Sequence, residues 1–378
     1  MPHCGSSGRC AVYVVLLLLG IALGAILVWQ LGRPKARAPL ARVVPVVVIR
    51  QPAAPPQPAP VVQPTNPPAP PPVLPPRPPV IQTNPAPPPP IGFPRPVRDI
   101  FEAQLALDRQ GISPGSLDGL VGPQTRAAIR AFQQDQGLSA TGELDAPTSE
   151  QLLLTSAPYT TYTVTSNDLA RLQPLSPTWL GKSQQSALDY ETILELVAEK
   201  GHSHPNLVRR LNPAISWTNV VEGTAIRLPD VARCEPDAKA AFATISLSGK
   251  ILEAFGASTN LLAHFPCSIA RRVEKRPVGE LRVAVIAPNP NYTFDPDVFP
   301  ESAEARALKT RLVLPPGPNN PVGVAWIGLD KPGYGIHGTP NPEQVGRTES
   351  HGCFRLANWN AEYLLKLVWV GMPVYVEP

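Results

Sequence analysis

The sequence predicts a multidomain chain with three folded parts of different class: a small all-α bundle, a βααβ module and a mostly-β C-terminal domain. Three observations carry this. Of 51 prolines in 378 residues, 24 fall between Pro39 and Pro96, so the excess is one segment and the rest is ordinary globular sequence. After that tract, apolar residues recur at helical spacing between capping signals. From Ala241 onward, short apolar segments alternate with Gly, Ser and Asn turns, which is a strand pattern. Hydrophobic residues make up 43 % of the chain, which excludes a collagenous or fully disordered protein, and a net charge of +4 is too mild to point to a nucleic-acid partner.

Residues 1–10 precede Ala11 to Leu31, a run of 21 residues with no charge. At ~1.5 Å per residue it spans a hydrocarbon core of ~30 Å. Its length, and the lack of a small-residue cleavage site directly after it, predict an uncleaved single-pass anchor with residues 1–10 in the cytoplasm. Arg33, Lys35, Arg37 and Arg42 behind the run would favour a cytoplasmic C-terminal part, but long domains translocate largely regardless of charge. Residues 32–97 then read as a linker. Proline fixes φ and removes a donor, so runs such as Pro87-Pro88-Pro89-Pro90 favour extended polyproline II, a stiff tether of roughly 180 Å at full reach. The same composition would also serve a proline-binding module.

Residues 98–154 read as three short helices. Ile100, Phe101, Leu105 and Leu107 begin the first, which ends near Gly111. Pro123 suits the first position of the second, with Ala127, Ile129 and Phe132 on one side and Gly137 as stop. Asp145 caps a third through Leu153. Gly115-Ser-Leu-Asp-Gly119, Gly122-Pro-Gln-Thr125 and Ala131-Phe-Gln133 resemble the peptidoglycan-binding domain family, which implies that fold.

Residues 159–230 read as strand, helix, helix, strand. Tyr159 to Thr165 alternates; Asp189 is expected to cap a helix through Lys200; Pro205 starts another to Leu211; Val220 to Leu228 closes the module. This order, with Leu211-Asn-Pro213 and Gly223-Thr-Ala-Ile-Arg-Leu-Pro229, resembles a LysM domain, and the resemblance implies binding to N-acetylglucosamine chains. The segment from Ser166 to Leu188, including Trp179, is extra to that pattern. His202 and His204 have metal-like spacing but lack a third ligand, so they read as surface residues.

Residues 239–377 hold the chemistry. Strands are expected at 241–246, 251–255, 261–269, 281–287, 322–329 and 373–376, with one helix from Asn360 to Val368 capped by Asn358 or Asn360. The informative run is Tyr334-Gly-Ile-His337-Gly338-Thr339, then Glu349-Ser350-His351-Gly352-Cys353-Phe354-Arg355-Leu356. A cysteine with a histidine and a glycine is what acyl transfer needs: the thiolate attacks, an imidazole takes its proton, and a glycine lets peptide N–H groups approach an oxyanion. A base normally comes from another segment, which favours His337 over His351. A reactive cysteine of this kind is expected to have a lowered pKa and to label at mildly acidic pH. Three other readings use the same residues: a buried structural Cys353, a zinc site from His337, His351 and Cys353, or a disulfide. In an oxidising compartment Cys234 and Cys267 could pair and leave Cys353 reduced.

His337-Gly-Thr339, the 14-residue step to His351, and Ser350-His-Gly-Cys353-Phe-Arg355-Leu356 resemble the L,D-transpeptidase (YkuD-like) catalytic domain. Arg276-Pro-Val-Gly279 and the segment from Pro315 to Gly323 support the likeness, with Arg276 where the family has Thr. The resemblance implies a β-sandwich-like fold and no metal or cofactor. It implies Cys353 as nucleophile on a peptidoglycan stem tetrapeptide, His337 as proton acceptor and donor, and Gly338 as the carbonyl that orients His337. The amides of His351, Gly352 and Cys353 would form the oxyanion hole, with Ser350 and Arg355 on the substrate side. D-Alanine leaves, a thioester forms, and a second stem's amine resolves it into a cross-link. Water as acceptor would make an L,D-carboxypeptidase, and a protein lysine would anchor a protein to the wall. A non-catalytic wall-binding protein is the reading from another class. All of these expect the inner membrane, with the catalytic part in the periplasm or cell wall.

Overall fold

The computed structural model describes residues 92–378 other than 234, 300, 301, 309 and 348–351. The expected anchor, the linker up to residue 91, Cys234, Ser350 and His351 therefore lie outside the described residues, while the linker's expected end at 97 is corrected: Arg95–Pro96 already pair with Leu153–Leu154 of the first folded part. Among the described residues no helix is long and apolar enough to cross a membrane.

The first part is built on three helices. Asp99 accepts the Glu102 N–H at 2.8 Å and starts α1 (Ile100–Arg109); Pro123 opens α2 (Pro123–Asp135); Asp145 accepts from Thr148 N–H and opens α3 (Ala146–Gln151). The third helix is shorter than expected because Leu153–Leu154 forms a strand, β2, antiparallel to β1 (Arg95–Pro96). Leu105, Leu107, Leu117, Ile129 and Phe132 form the core. Two buried glutamines hold the loops to it: Gln104 donates to Asp118, Leu120 and Thr125, and Gln133 to Thr141, Glu143 and Thr148.

The second part pairs β3 (Tyr159–Thr163) with β4 (Ala225–Pro229), antiparallel. Between them lie α4 (Ser166–Arg171), α5 (Trp179–Ser183), α6 (Ile193–Lys200) and α7 (Pro205–Leu211). Asp189 does not cap α6. Thr192 accepts from Glu195 N–H there, because Asp189 is drawn into a bidentate pair with Arg171, both bonds 2.9 Å. The closing strand begins only at Ala225, after a turn at Gly223 with φ 83°.

The third part has strands β5 (Phe242–Ser246), β6 (Ile251–Phe255), β7 (Leu261–Pro266), β8 (Gly279–Pro288), β9 (Tyr292–Phe294), β10 (Leu312–Leu314), β11 (Ala325–Leu329), β12 (Gly335–His337), β13 (Phe354–Arg355) and β14 (Pro373–Glu377). β9 and β10 form a hairpin-like pair enclosing α8 (Ala303–Ala307), an unexpected helix capped by Ser302. The other eight form one sheet in the order β13-β12-β11-β8-β14-β5-β6-β7. This replaces two sandwiched sheets, because β14 inserts between β8 and β5 and stitches the halves together. The sheet curls until its edges meet: Ser268, just past β7, exchanges two backbone bonds with Arg355 of β13 at 2.9 and 3.0 Å. Inside lies α9 (Asn358–Leu367), with Ala361, Leu364 and Leu367 in the core. Neither Asn358 nor Asn360 caps it; the cap position is Ala357, without a side-chain bond.

The parts are joined by polar contacts as well as apolar ones. The Gly111–Ser113 turn bonds the backbone of His264 and covers that stretch of the β7 edge. Arg233, in the connector, donates to Asp108 of α1 and to Asn360 of α9, while His202 bonds Asp108 at 2.8 Å and stacks on Trp359 at 5.2 Å. His202 is thus half-buried at a junction and not a surface residue.

Candidate active site

Strand alternation assembles the site. β12 and β13 run parallel with Ile336 opposite Phe354 and His337 opposite Arg355. Ile336 and Phe354 point into the core, each 1 % exposed, so Gly335, His337, Cys353 and Arg355 share the other face. On the next strand, Trp326 lies opposite His337, its ring 5.7 Å from the imidazole. Its indole also covers Gly335, where a Cβ would come within 2.6 Å of the ring.

His337 is 6 % exposed, and its Nδ1 lies 2.6 Å from the Gly338 carbonyl. A carbonyl only accepts, so the proton sits on Nδ1 and Nε2 carries the lone pair. Burial pulls the imidazole down to about 4, against the Gly338 bond and assisted by the Arg355 charge. The ring is neutral at neutral pH and ready to accept a proton.

Cys353 stands one residue before β13, half-buried, with Sγ 3.6 Å from the Gly333 carbonyl. Burial pushes its thiol up, while the Gly335 backbone and the Arg355 charge pull against it. The lowered pKa expected from sequence is therefore reversed: the resting pair is thiol and neutral imidazole, not thiolate and imidazolium. Gly352 has open space where a side chain would begin. Burial also lowers the Arg355 guanidinium, which lies in the field of both Cys353 and Cys267. Cys267 carries a free, fully buried thiol pushed up to about 12 by burial, which makes it chemically quiet. Tyr292 of β9 is near enough to Cys353 to feel its charge; burial first and that charge second push the phenol up to about 12.

Gly338 is a glycine for a packing reason. A Cβ there would sit 2.2 Å from Asn358 Oδ1, and one at Gly323 (φ 62°) would sit 2.0 Å from the same oxygen. The Asn358 amide is wedged against both backbones. Trp326, Tyr292 and Asn358 were not evident as site residues from sequence, because strand register and the β9–β10 pair bring them in from other segments. The one available signal was a pair of asparagines, Asn358 and Asn360, at the start of a helix, and that pattern reads first as a cap. Among the described residues, no group of three or more His, Cys, Asp or Glu side chains is placed to hold a metal.

A family profile described as the L,D-transpeptidase catalytic domain matches residues 241–376, and one described as "Putative peptidoglycan binding domain" matches residues 97–152. The chain is similar to the "Putative L,D-transpeptidase YkuD" of Bacillus licheniformis, 25 % identical over 185 residues that cover 49 % of this chain and 93 % of that protein. It is 34 % identical over 105 residues to the "Putative L,D-transpeptidase YqjB" of Bacillus subtilis, covering 26 % of this chain and 51 % of that one. Among solved structures, an L,D-transpeptidase from Xylanimonas cellulosilytica aligns over 78 % of this chain and all of its own, at 13 % identity and a TM-score of 0.31. Residues 97–152 thus match a peptidoglycan-binding-type domain and residues 241–376 an L,D-transpeptidase catalytic domain.

Proposed function

We propose that the protein is a membrane-tethered cysteine L,D-transpeptidase that cross-links peptidoglycan stem peptides. The observation that supports this most is the common face of His337, on β12, and Cys353, just before the parallel strand β13, with the imidazole proton held on Nδ1 by the Gly338 carbonyl and the ring kept neutral by burial. His337 Nε2 takes the Cys353 proton as sulfur attacks the carbonyl that precedes the terminal D-alanine. The S–C bond forms, the C–N bond breaks, and the proton passes to the leaving amine. The amides of Gly352 and Cys353, with that of His351, hold the oxyanion, while Ser350 and Arg355 face the substrate. An amine from a second stem then displaces sulfur. A neutral imidazole with its proton on Nδ1 suits this concerted transfer better than a preformed thiolate would. Residues 11–31 anchor the chain in the inner membrane, 32–97 space it from the bilayer, and residues 98–154 and 159–230, the latter as a LysM-like module, hold it to the wall.

The test is incubation of the full chain with tetrapeptide muropeptides, read by mass spectrometry. Dimers formed with loss of D-alanine are expected, and Cys353→Ala is expected to form neither dimers nor a carbapenem adduct. Tripeptides without dimers would favour the carboxypeptidase, and turnover by Cys353→Ala would sink the assignment. Acylation by wild type should fall as pH drops through about 4, where His337 gains a proton and ceases to be a base.

A further inference from the structure

We propose that Glu199, on α6 of the second part, is a positioning residue for the His337 imidazole and acts through Asn358. This rests on the reading of Cys353 and His337 as the reacting pair. Asn358 is the first residue of α9 and 1 % exposed. Its Nδ2 donates to both carboxylate oxygens of Glu199, at 3.2 and 3.1 Å, and to the Pro318 carbonyl at 3.1 Å. Its Oδ1 accepts from Val324 N–H at 3.4 Å and fills the space that side chains at Gly323 and Gly338 would need. The Gly338 peptide is in turn held by its N–H on the Ala325 carbonyl at 3.2 Å, and its own carbonyl takes the Nδ1 proton of His337 at 2.6 Å. Three links therefore connect a carboxylate in one module to the tautomer and tilt of the base in another. Each is a hydrogen bond or a backbone packed too closely to shift alone.

Among the described residues no cation pairs with this carboxylate. Tyr190 donates its hydroxyl at 3.2 Å, whereas Glu195 on the same helix and Glu362 one turn along α9 are of like charge. A contact that served docking alone would be cheaper with apolar side chains. Loss of water pushes the Glu199 carboxyl up to about 7, so its charge changes near neutrality. The groove beside it, about 480 Å³ and bordered by Glu195, His204, Asn319 and Asn341, gives water a route to this face.

The experiment measures the rate of Cys353 acylation by a carbapenem from pH 5 to 9, with kcat and KM on tetrapeptide, in the full chain. Glu199→Ala is expected to slow acylation about 10-fold with KM unchanged, the scale on which a misplaced catalytic group costs rate. Glu199→Gln keeps an acceptor for Asn358 and is expected to restore the rate within about 2-fold while flattening the profile near pH 7. Adding Asn358→Ala to Glu199→Ala should slow it little further, since both cut one path. Wild-type rates and pH profile in Glu199→Ala, or a loss that glutamine does not rescue, would overturn the proposal. If the alanine variant does not fold, the Glu199→Gln profile decides alone: an unaltered inflection near pH 7 overturns the proposal and its loss supports it. A Cys353→Ala protein that is still acylated overturns the underlying assignment instead, so the two failures are distinct.

Discussion

Two carboxylates, one buried and one half-buried, join modules of this protein, and their pKa values shift in opposite directions. Asp108 and Glu199 both leave water on packing, and burial pushes both up. Asp108 receives Arg233 and His202, whose charges and hydrogen bonds outweigh burial and bring it to about 2. Glu199 receives an amide and a phenol, and stays high at about 7. The difference is a guanidinium and an imidazole. They make the first junction an ionic knot and leave the second a neutral-to-charged contact two residues' packing away from His337.

The largest effect should come from breaking the knot. Arg233→Ala leaves Asp108 buried without its guanidinium and is expected to cost about 3–5 kcal/mol in urea unfolding. A loss below about 1 kcal/mol would mean that His202 alone satisfies the carboxylate. A dry junction offers the uncharged control. Trp179 stacks on Phe294 at 4.3 Å and carries the inserted segment onto the β9–β10 pair. Trp179→Ala is expected to cost about 2–3 kcal/mol, equally at pH 5 and pH 8, because no titrating group is lost. A cost that changes with pH would show that the hairpin contact is coupled to a charge.

The acid limb sharpens the comparison. Asp108 has a folded pKa below its unfolded one, so its stabilisation is present above about 4 and lost as pH falls toward 2. In Asp108→Asn that part of the acid sensitivity should disappear from a series of melting curves, although the variant is less stable at neutral pH. The smallest effect has the opposite sign. Glu199 has a raised folded pKa, so its favourable contribution is full below about 4.3 and lost as pH rises through about 7. Glu199→Gln should therefore gain on wild type across that window and end about 1 kcal/mol ahead, or ~2–4 °C in melting temperature, after allowance for solvent at a half-buried site. A constant difference at all pH values would remove Glu199 from the set of titrating groups.

Much of the local structure was legible in the residues. Asp99 and Asp145 cap, Pro123 opens and Gly137 stops helices for reasons confined to a few neighbours, and the β-domain strands lie close to where alternation places them. The His337 and Cys353 segments stood out because a cysteine, a histidine and a glycine together have the chemistry of acyl transfer. What was not legible were choices between two good partners. Asp189 is as good a cap as Thr192, until Arg171 takes it. Asn358 and Asn360 are good caps too, until Glu199 and Arg233 claim them. His202 lacks a third ligand in sequence, and its partners Asp108 and Trp359 come from two other modules.

The residues alone set many of the helix and strand segments and marked which side chains have the chemistry to attack or to accept a proton. These follow from backbone propensity and intrinsic side-chain chemistry, which act over a turn or two. Only the tertiary structure decided that the cysteine rests as a thiol, that its histidine is neutral, and that one interface carboxylate is charged while the other is poised near 7. Those properties depend on water excluded and on charges supplied from afar, such as Arg233, 125 residues from Asp108, and Asn358, 159 residues from Glu199. Desolvation and pairing belong to the packed molecule, and no local stretch of sequence carries them.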